Sequence, residues 1–400
     1  MKKEERINNI RIALIHQKVI TVAKLAEIFC VTERTIRRDL QTLKKEGIAE
    51  LFFGGAKLIT KTKSFDKPSL INITKKFKVS NMNLDIRKES NTQEDHIGVY
   101  VLGSFNVDIV SEVESFPQHG QTIQAISTNF YAGGKGSNQA TAASMVSDNV
   151  HLTVKIGKDS FNEKAKSHIL GNRINSSTIF EDDIVPTGNA LIFVSNTEKD
   201  NMITIDLGSN KNISREELIS EIPKILKSKV FLTQLENNFD ITKETLEIAK
   251  EHNVTVILNP APYRSEVKEA LRYVDILTPN ETEASDLSGI QVVDIESAKE
   301  AAKIIQSMGS RVVIITMGSK GCLSFDGETF QFYPSYKAAV VDTSGAGDSF
   351  NGALAACLSN GETLNYSIKF ASAFASLAVE RKGASNMPEK HLALSRMESN

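Results

Sequence analysis

Short apolar runs alternate with amphipathic segments along residues 96–400 of the chain. The apolar runs are rich in β-branched residues, which predicts strands that are buried on both faces of a parallel sheet. They occupy Val99–Leu102, Leu152–Ile156, Val230–Thr233, Val254–Leu258, Val274–Leu277 and Val312–Thr316. The amphipathic segments predict helices at Ser137–Val146, Lys243–Glu251, Ser297–Met308, Ser349–Leu358 and Ser367–Val379. This alternation predicts a layered α/β sheet with right-handed crossovers.

Two further stretches of this region show partial alternation of apolar and polar residues. They are Thr122–Phe130, and Ala190–Val194 taken together with Met202–Asp206. Alternation with a period of two predicts strands that are exposed on one face. We therefore expect a second, smaller sheet that covers the mouth of a site as a lid.

The first sixty residues show a different pattern. Apolar residues recur at helical spacing over residues 7–15 and again over residues 22–29. Thr32 is placed to cap a third helix that ends at Gly47. Residues 50–59 then predict two short strands joined by a glycine-rich turn. Three helices followed by a hairpin predict a winged helix-turn-helix.

Charge is divided unevenly between the two parts of the chain. Residues 1–95 carry a net charge of +8, and residues 96–400 carry −10. A basic amino-terminal part joined to an acidic body suggests two functions, the first of them near an anionic polymer. Residues 60–95 contain eight Lys and Arg and no long apolar period, which predicts a linker. The expected domains are therefore residues 1–59, a basic linker at 60–95, and residues 96–400.

A specific motif lies in the third predicted helix. The stretch Val31–Leu40 reads Val-Thr-Glu-Arg-Thr-Ile-Arg-Arg-Asp-Leu, and Leu43, Glu46-Gly47 and Phe53–Ala56 follow it. Together with the flanking pattern over residues 3–59, these residues resemble the DeoR family of bacterial regulators. The resemblance implies that the third helix enters the major groove of DNA.

The same resemblance assigns roles to four residues of that helix. Arg34 and Thr35 would reach base edges, and Arg37 or Arg38 would hold phosphates. The alternative is that these arginines form a solvated face or a surface that docks within the protein.

The segment Asp342-Thr343-Ser344-Gly345-Ala346-Gly347-Asp348 directly precedes an apolar, small-residue helix. A glycine-rich turn that opens a helix presents free backbone N–H groups at the positive end of the helix dipole. Asp348 is placed to accept a proton from an attacking hydroxyl. An anion-binding turn beside a base is what phosphoryl transfer to an alcohol requires. The alternative is an ordinary glycine-rich helix start.

Other polar segments follow the predicted strands. Each also has a structural interpretation: an Asn/Asp turn, a glycine-rich helix start or a capped helix start. They are Gly103–Asp108 with Asn106 and Asp108, Gly133–Ala140, Gln234–Glu236, Thr278–Glu283 and Thr316–Gly321. Because ligands bind at the carboxyl ends of strands in open α/β sheets, we expect these segments to meet.

Four motifs, in order along the chain, resemble the ribokinase branch of the PfkB sugar kinases over residues 97–390. They are Gly-Gly-Lys-Gly-Ser-Asn-Gln-Ala at 133–140, Asn-Pro-Ala-Pro at 259–262, Thr-Pro-Asn-Glu-Thr-Glu at 278–283 and Asp-Thr-Ser-Gly-Ala-Gly-Asp at 342–348. The resemblance implies a three-layer, Rossmann-like α/β fold with a small β-sheet lid. It also implies ATP-dependent phosphorylation of a sugar.

The resemblance assigns the site residues. Asp348 would be the base, and the backbone N–H groups of Gly345, Ala346 and Gly347 would form the anion hole. The sugar would be held by Asn106, Asp108, Gly134, Lys135, Asn138 and Glu236. ATP would contact Asn280, Thr316, Gly318, Ser319, Gly321, Gly347 and Ser372. Glu283 would position Mg²⁺ through water, and K⁺ would bind carbonyl oxygens of Asp342, Ser344, Ala378, Arg381 and Gly383.

Two departures from the family pattern bear on these assignments. The segment Gly383–Pro388 is one residue shorter than usual, which leaves the last K⁺ ligand, near Asn386, open. Ser372 stands where relatives often carry a larger polar residue near the adenine. Lid contacts and paired DNA half-sites both favour a homodimer.

The leading hypothesis is a DeoR-type DNA-binding domain fused to a kinase that converts D-ribose to ribose 5-phosphate. Asn106 and Asp108 together favour ribose, because its 2- and 3-hydroxyls both need partners. Two alternatives stay open: a regulator whose kinase fold only senses sugar, and a kinase for another sugar such as deoxyribose. No apolar stretch approaches the ~20 residues that span a bilayer, so we expect no membrane association and a cytoplasmic protein.

Overall fold

The structure is a computed structural model that describes residues 6–7, 10, 19–29, 31–45, 48–52, 55–58 and 96–399. The predicted linker at residues 60–95 lies outside the described residues, as do residues 11–18 of the first predicted helix, Cys30 and Gly47. The residues up to 58 and the residues from 96 onward are described in turn, each by itself.

The amino-terminal part has the elements of a winged helix-turn-helix. Residues 6, 7 and 10 are helical, and the elements that follow are β1 (Val19–Thr21), α1 (Val22–Ile28), α2 (Glu33–Lys45), β2 (Ala49–Phe52) and β3 (Gly55–Leu58). The β2–β3 hairpin and the two helices are as predicted. β1 was not predicted, because three residues that pair with the edge of β3 are too short to show a pattern.

Helix α2 is fixed at its start and along one face. The backbone N–H of Thr35 donates to Oγ1 of Thr32 at 3.3 Å, which is the expected cap. Ile36, Leu40 and Leu43 of α2 are buried in the core of this part. The opposite face of α2 is therefore left to solvent.

A buried ion pair ties α2 to the start of the chain. Nε of Arg6 lies 2.6 Å from Oδ2 of Asp39, with 8% and 0% of the two side chains exposed. Removing one partner of such a pair typically costs about 3–5 kcal/mol, because the other charge stays buried. Asp39 is thus a structural residue of the Arg-Arg-Asp-Leu motif, and its position orients the exposed face of α2.

Residues 96–399 form a large sheet and a small one. Their strands are β4 (Ile97–Leu102), β5 (Asn106–Val113), β6 (Ser127–Gly133), β7 (Val150–Gly157), β8 (Ser176–Asp182), β9 (Gly188–Ser195), β10 (Asn201–Asp206), β11 (Ser228–Thr233), β12 (Thr255–Leu258), β13 (Ile276–Leu277), β14 (Val312–Thr316), β15 (Cys322–Phe325) and β16 (Phe330–Tyr333). The large sheet of this region has the order β16-β15-β14-β13-β12-β11-β4-β7-β8. From β14 to β8 all neighbours are parallel, as predicted.

Helices cover both faces of the large sheet. The helices of residues 96–399 are α3 (Lys135–Ser144), α4 (Asn162–Gly171), α5 (Arg215–Leu226), α6 (Phe239–Glu251), α7 (Glu281–Ser288), α8 (Ile295–Ser307), α9 (Ala346–Ser359), α10 (Leu364–Ala378) and α11 (Lys390–Glu398). Helices α3, α4, α9, α10 and α11 share one core with the strands. α6 packs against β12, and α8 packs against β14 and β15, on the other face. The result is a three-layer α/β fold.

The small sheet has the strand order β10-β9-β5-β6. It contains the predicted strands near Ala190–Val194 and Met202–Asp206, but β6 begins at Ser127, so residues 122–126 were wrongly assigned to a strand. β5 was missed, because its first residues had been interpreted as a turn. Apolar side chains on this sheet are exposed, among them Phe130, Leu191 and Met202.

Within residues 96–399 and the described parts of residues 6–58, no helix combines the length and the apolar character needed to cross a bilayer. Cys322 and Cys357 are free thiols, and both are buried.

Candidate active site

The carboxyl ends of five neighbouring parallel strands, β4, β11, β12, β13 and β14, lie along one edge of the large sheet. A cavity of about 160 Å³ opens beside this edge. It is lined by Lys135, Asn259, Ala261, Thr278, Asn280, Glu283, Thr316, Thr343, Gly345, Ala346, Gly347, Asp348 and Asn351. The cavity therefore brings the predicted base and anion hole together with Lys135, Asn280, Glu283 and Thr316.

Helix α9 starts at this cavity with a left-handed residue. Gly345 has φ 76°, and a Cβ there would lie 2.6 Å from the carbonyl oxygen of Ala384, so this position requires glycine. The N–H of Ala346 donates to the carbonyl of Thr343 at 3.2 Å. Among residues 96–399, the N–H groups of Gly345 and Gly347 have no such partner. These two groups, rather than all three, are left for an anion at the positive end of the helix.

Asp348 lies in the first turn of α9 and is 7% exposed. Both of its carboxylate oxygens accept hydrogen bonds from side-chain amides of α3. Nδ2 of Asn138 donates to Oδ2 at 3.0 Å, and Nε2 of Gln139 donates to Oδ1 at 3.0 Å. Asp348 is therefore held in place and still lines the cavity.

Glu236 and the start of α3 form the adjoining part of the site. Glu236 is 2% exposed, and its Oε2 accepts from the hydroxyl of Ser104 and from the backbone N–H of Lys135, the latter at 3.1 Å. Gly134 is the residue that caps α3, with φ 89°. These contacts place Lys135 and Glu236 beside each other at the amino terminus of α3.

Asn106 and Asp108 lie on strand β5 of the small sheet, and the turn predicted for them is wrong. Residues i and i+2 of a strand point to the same face, so the two side chains share one side of the sheet. Nδ2 of the buried Asn210 donates to Oδ1 of Asn106 at 2.9 Å. The backbone N–H of Phe105 donates to Oδ1 of Asn210 at 3.0 Å, which fixes the orientation of the Asn210 amide. Asn106 is thereby left with its Nδ2 group as the free donor.

The site concentrates negative charge. Burial, together with the nearby carboxylates Glu236 and Asp348, raises the pKa of Asp108 to about 7, although Lys135 opposes this. Burial also raises the pKa of Glu236 above its ordinary value. Burial alone would lower the pKa of Lys135, but the surrounding carboxylates, led by Asp348 and Glu236, raise it. Lys135 is therefore a cation held among acids.

Asn280 and Glu283 form a capping box at the start of α7. Oδ1 of Asn280 accepts from the N–H of Glu283 at 2.8 Å, and Oε2 of Glu283 accepts from the N–H of Asn280 at 2.9 Å. The motif therefore forms a helix cap, which is the structural interpretation of its sequence. It does not exclude the functional one, because both residues also line the cavity. Burial raises the pKa of Glu283.

Only some of the residues predicted to bind ATP line the cavity. Thr316 ends β14 and lines the cavity, whereas Gly318, Ser319 and Gly321 lie on the turn beyond it and Ser372 lies on α10, outside the cavity lining. Oγ of Ser372 contacts Sγ of Cys322 at 3.8 Å. These four residues therefore lie outside the lining of the cavity.

The segments predicted to bind K⁺ lie against each other. The side chain of Asp342 accepts from the N–H of Ser344 at 2.8 Å and from the N–H of Gly383 at 2.9 Å. The carbonyl of Ala378 accepts from the N–H of Arg381, and the carbonyl of Gly383 accepts from the N–H of Asn386. Each of these two carbonyl oxygens keeps one further lone pair.

Residues 97–391 match the family model described as pfkB family carbohydrate kinase. The chain belongs to the pfkB family of carbohydrate kinases. Residues 6–62 of this kinase match the DeoR-like helix-turn-helix domain. Both resemblances stated from the sequence are therefore confirmed.

Individual relatives of this pfkB-family chain are sugar kinases. It is 34% identical to a ribokinase of Haemophilus influenzae, over 74% of this chain and 97% of that protein. It is 32% identical to a deoxyribokinase of Salmonella typhi, over 71% of this chain and 93% of that protein. A structure of Arabidopsis thaliana ribokinase complexed with ribose and ATP aligns with a TM-score of 0.68 and 31% identity, covering 75% of this chain and 98% of that one.

Several polar residues of the pfkB-family site were missed from the sequence. Gln139 and Asn259 lie in recognised motifs but had been given no role, and Asn210 lies in a stretch without a motif. Asn351 joins the first turn of α9 to β13: its Nδ2 donates to the carbonyl of Gly347, and its Oδ1 accepts from Thr278. The positions of these residues along the chain give no signal that they meet. Only the fold brings Gln139, Asn259 and Asn351 to the start of α9, and Asn210 to Asn106.

The raised pKa of Asp108 predicts a stability cost that depends on pH. In the folded kinase the carboxyl ionises near pH 7 instead of near 3.8, so its burial destabilises the fold above pH 7 and not below about pH 4. Asp108→Asn should therefore have a Tm at pH 8 that is at least about 2 °C above wild type, and this gain should shrink towards pH 5. Thermal melts at the two pH values measure it.

The matched control is the exposed Asp148, for which Asp148→Asn should leave Tm unchanged at both pH values. A gain for Asp108→Asn that is equal at pH 5 and pH 8 would show that ionisation of Asp108 is not its cause.

Proposed function

We propose that this protein phosphorylates D-ribose at O5 with ATP, giving ribose 5-phosphate, and that its amino-terminal domain binds DNA as a transcriptional regulator. One observation carries the kinase half. Asp348 lies in the first turn of α9, beside backbone N–H groups that have no partner. Both of its carboxylate oxygens accept hydrogen bonds, and it lines the same cavity as Lys135 and Glu283.

The chemistry follows from these positions. Asp348 accepts the proton of the attacking sugar hydroxyl as a general base. The N–H groups of Gly345 and Gly347, with the dipole of α9, stabilise the charge that develops on the transferred phosphoryl group. Lys135 adds a fixed positive charge to the same cavity. Closure of the small sheet over the site would exclude water from the reaction.

The sugar would be held between an acceptor and a donor. A hydroxyl that donates to Asp108 keeps only lone pairs for a second neighbour, so that neighbour must be a donor. Nδ2 of Asn106 is such a donor, because Asn210 occupies its Oδ1. Gly134, Asn138 and Glu236 complete the sugar contacts. Two such partners suit the vicinal hydroxyls of ribose, whereas 2-deoxyribose would leave one partner without a hydroxyl.

A divalent cation fits the charge of this site. Asp108, Glu236, Glu283 and Asp348 outnumber Lys135, and ATP adds further negative charge. Hydrated Mg²⁺ prefers carboxylate oxygens and phosphates, and Glu283 with Asn280 lines the cavity where a hydrated ion would be oriented. Mg²⁺ would supply charge neutralisation on the β- and γ-phosphates. Thr316, Gly318, Ser319, Gly321 and Ser372 would contact the rest of ATP.

K⁺ fits the paired loops beside the anion hole. The Asp342 side chain joins its own loop to Gly383, and the carbonyl groups of Ala378 and Gly383 each retain a lone pair. Carbonyl oxygens of Asp342, Ser344 and Arg381 would complete the set. Such an ion would fix the backbone of the loop that carries Gly345.

A panel of pentoses and hexoses, assayed by ATP consumption with and without K⁺, tests the proposed reaction. Wild type should turn over ribose best. Asn106→Ala should lower kcat/KM for ribose at least about tenfold more than for 2-deoxyribose, because it removes one hydrogen-bonding partner of the ribose diol. Deoxyribose is the competing substrate, since one relative is a deoxyribokinase.

Asn201→Ala serves as the control, because Asn201 is exposed on the edge strand β10 of the same sheet. Equal losses for both sugars in Asn106→Ala would refute the hydroxyl argument. A wild type that prefers 2-deoxyribose would overturn the ribose assignment and leave the phosphoryl chemistry standing.

The DNA-binding half occupies residues 1–59 in this proposal, followed by a linker at 60–95 and the kinase at 96–400. Arg34, Arg37 and Arg38 are exposed on α2, and Nη2 of Arg37 lies 2.9 Å from Oε2 of the exposed Glu33. An exposed pair of this kind is worth little, so Arg37 is free to turn to a phosphate. Thr35 contacts Thr32 at the start of the helix. The exposed apolar residues of the small sheet support a homodimer, which would also suit the paired half-sites that helix-turn-helix dimers bind.

The salt dependence of DNA affinity tests this half in the full chain. Arg34→Ala with Arg37→Ala should weaken binding to a mixed-sequence DNA duplex. The slope of log K against log salt should become less steep by about 1 for each phosphate that α2 no longer binds. Arg173→Ala with Arg272→Ala, two exposed arginines of the kinase region, is the control of equal charge. An unchanged slope in the α2 variant would exclude a groove-bound α2.

A further inference from the structure

A chain of buried side-chain amides lies behind the carboxylate of Asp348. Gln139 is at its centre: its Nε2 donates to Oδ1 of Asp348 at 3.0 Å and to Oδ1 of Asn259 at 3.1 Å, and its Oε1 accepts from Nε2 of Gln234 at 2.6 Å. Gln139 and Gln234 are 0% exposed, and Asn259 is 6% exposed. Water therefore does not compete for these hydrogen bonds.

The polarity of this chain is determined by groups that can only accept. Asp348 presents a carboxylate, so the Gln139 atom that faces it must be the nitrogen. Nδ2 of Asn259 donates to the backbone carbonyl of Thr278 at 3.2 Å, which turns Oδ1 of Asn259 towards Gln139 and again requires a nitrogen there. Gln234 supplies the donor that the remaining oxygen of Gln139 needs. One orientation of the amide satisfies all three neighbours.

We propose that Gln139 is a positioning residue for the general base. With Asn138 on the other oxygen, it holds the carboxylate of Asp348 in the one rotamer that faces the cavity. Gln139 is fully buried, and its amide is engaged by Asp348, Asn259 and Gln234, so it offers no free group to sugar or nucleotide. A base that is not held by a second set of residues loses the alignment on which proton transfer depends.

The inference rests on the proposed role of Asp348 as base, and goes beyond it in assigning a function to a residue that does not touch substrate. Loss of a positioning residue should lower kcat and leave KM for the sugar nearly unchanged. Loss of a residue that only fills space should lower stability without this split.

Gln139→Met keeps the volume of the side chain and removes its N–H groups. We expect kcat to fall about tenfold or more, with KM for the preferred sugar within about twofold of wild type. Thr141→Val is the matched control: Thr141 is buried on the same helix, and within residues 96–399 its hydroxyl donates to the carbonyl of Ser137 and accepts from the amide of Asn172. It should keep wild-type kcat while losing a comparable buried polar group.

The pH dependence of kcat in Gln139→Glu gives a second test, because a residue that acts only through packing would not change it. A carboxyl at this position would face Asp348 at about 3 Å, and two such groups share one proton. We expect kcat of this variant to be low at pH 7 and to rise towards pH 9 more steeply than that of wild type. This variant also decides the question if Gln139→Met does not fold.

The outcomes separate the two proposals. A wild type without sugar kinase activity refutes the proposed function, and this inference with it. Turnover in wild type that Gln139→Met retains within about twofold refutes the inference alone. A loss in Gln139→Glu that is the same at every pH also refutes it, because the residue would then act only through packing.

Discussion

Helices α3 and α9 approach each other closely enough for their backbones to touch, and the site depends on this approach. A Cβ at Gly352 of α9 would collide with the carbonyl oxygen of Gln139 and lie 2.6 Å from Cβ of Ala142. The facing surfaces carry small residues, such as Ala143 and Ala356, that are fully buried. Because the helices are this close, the short amides of Asn138 and Gln139 reach Asp348. A larger residue at position 352 would separate the base from both of its donors.

The electrostatics of the site follow from the same packing. Carboxylates from β5, from the loop after β11, from α7 and from α9 surround Lys135, which lies at the start of α3. Their mutual repulsion and burial cost stability, as the raised pKa of Asp108 records. Proteins commonly hold such cost at functional sites, where substrate and cations relieve it. An acidic cavity with helix N-termini directed at it suits a reaction in which a metal-bound, highly charged phosphate meets a neutral sugar.

Much of the fold could be predicted from the sequence, because buried parallel strands are continuous apolar runs and need no partner to be recognised. Val99–Leu102 and Val312–Thr316 are examples. Strand β5 could not be predicted, because Asn106 and Asp108 at its start are polar. The strand is defined by its pairing with β6 and β9. The motif at 342–348 pointed to Asp348, the proposed base, which lines the cavity. Asn210 and Gln139 could not be given roles, since hydrogen bonds between residues about 100 or 200 positions apart leave no pattern in the chain.

The proposed reaction depends on Asp348 as the group that takes the proton of the sugar hydroxyl. Turnover and sugar binding should be measured together for Asp348→Ala, with Asp240→Ala, an exposed acid in the first turn of α6, as the control. We expect kcat of Asp348→Ala to fall about 100-fold to 10,000-fold, while its Kd for the sugar, measured by calorimetric titration, changes only a few-fold. Turnover near the wild-type level in Asp348→Ala would contradict it.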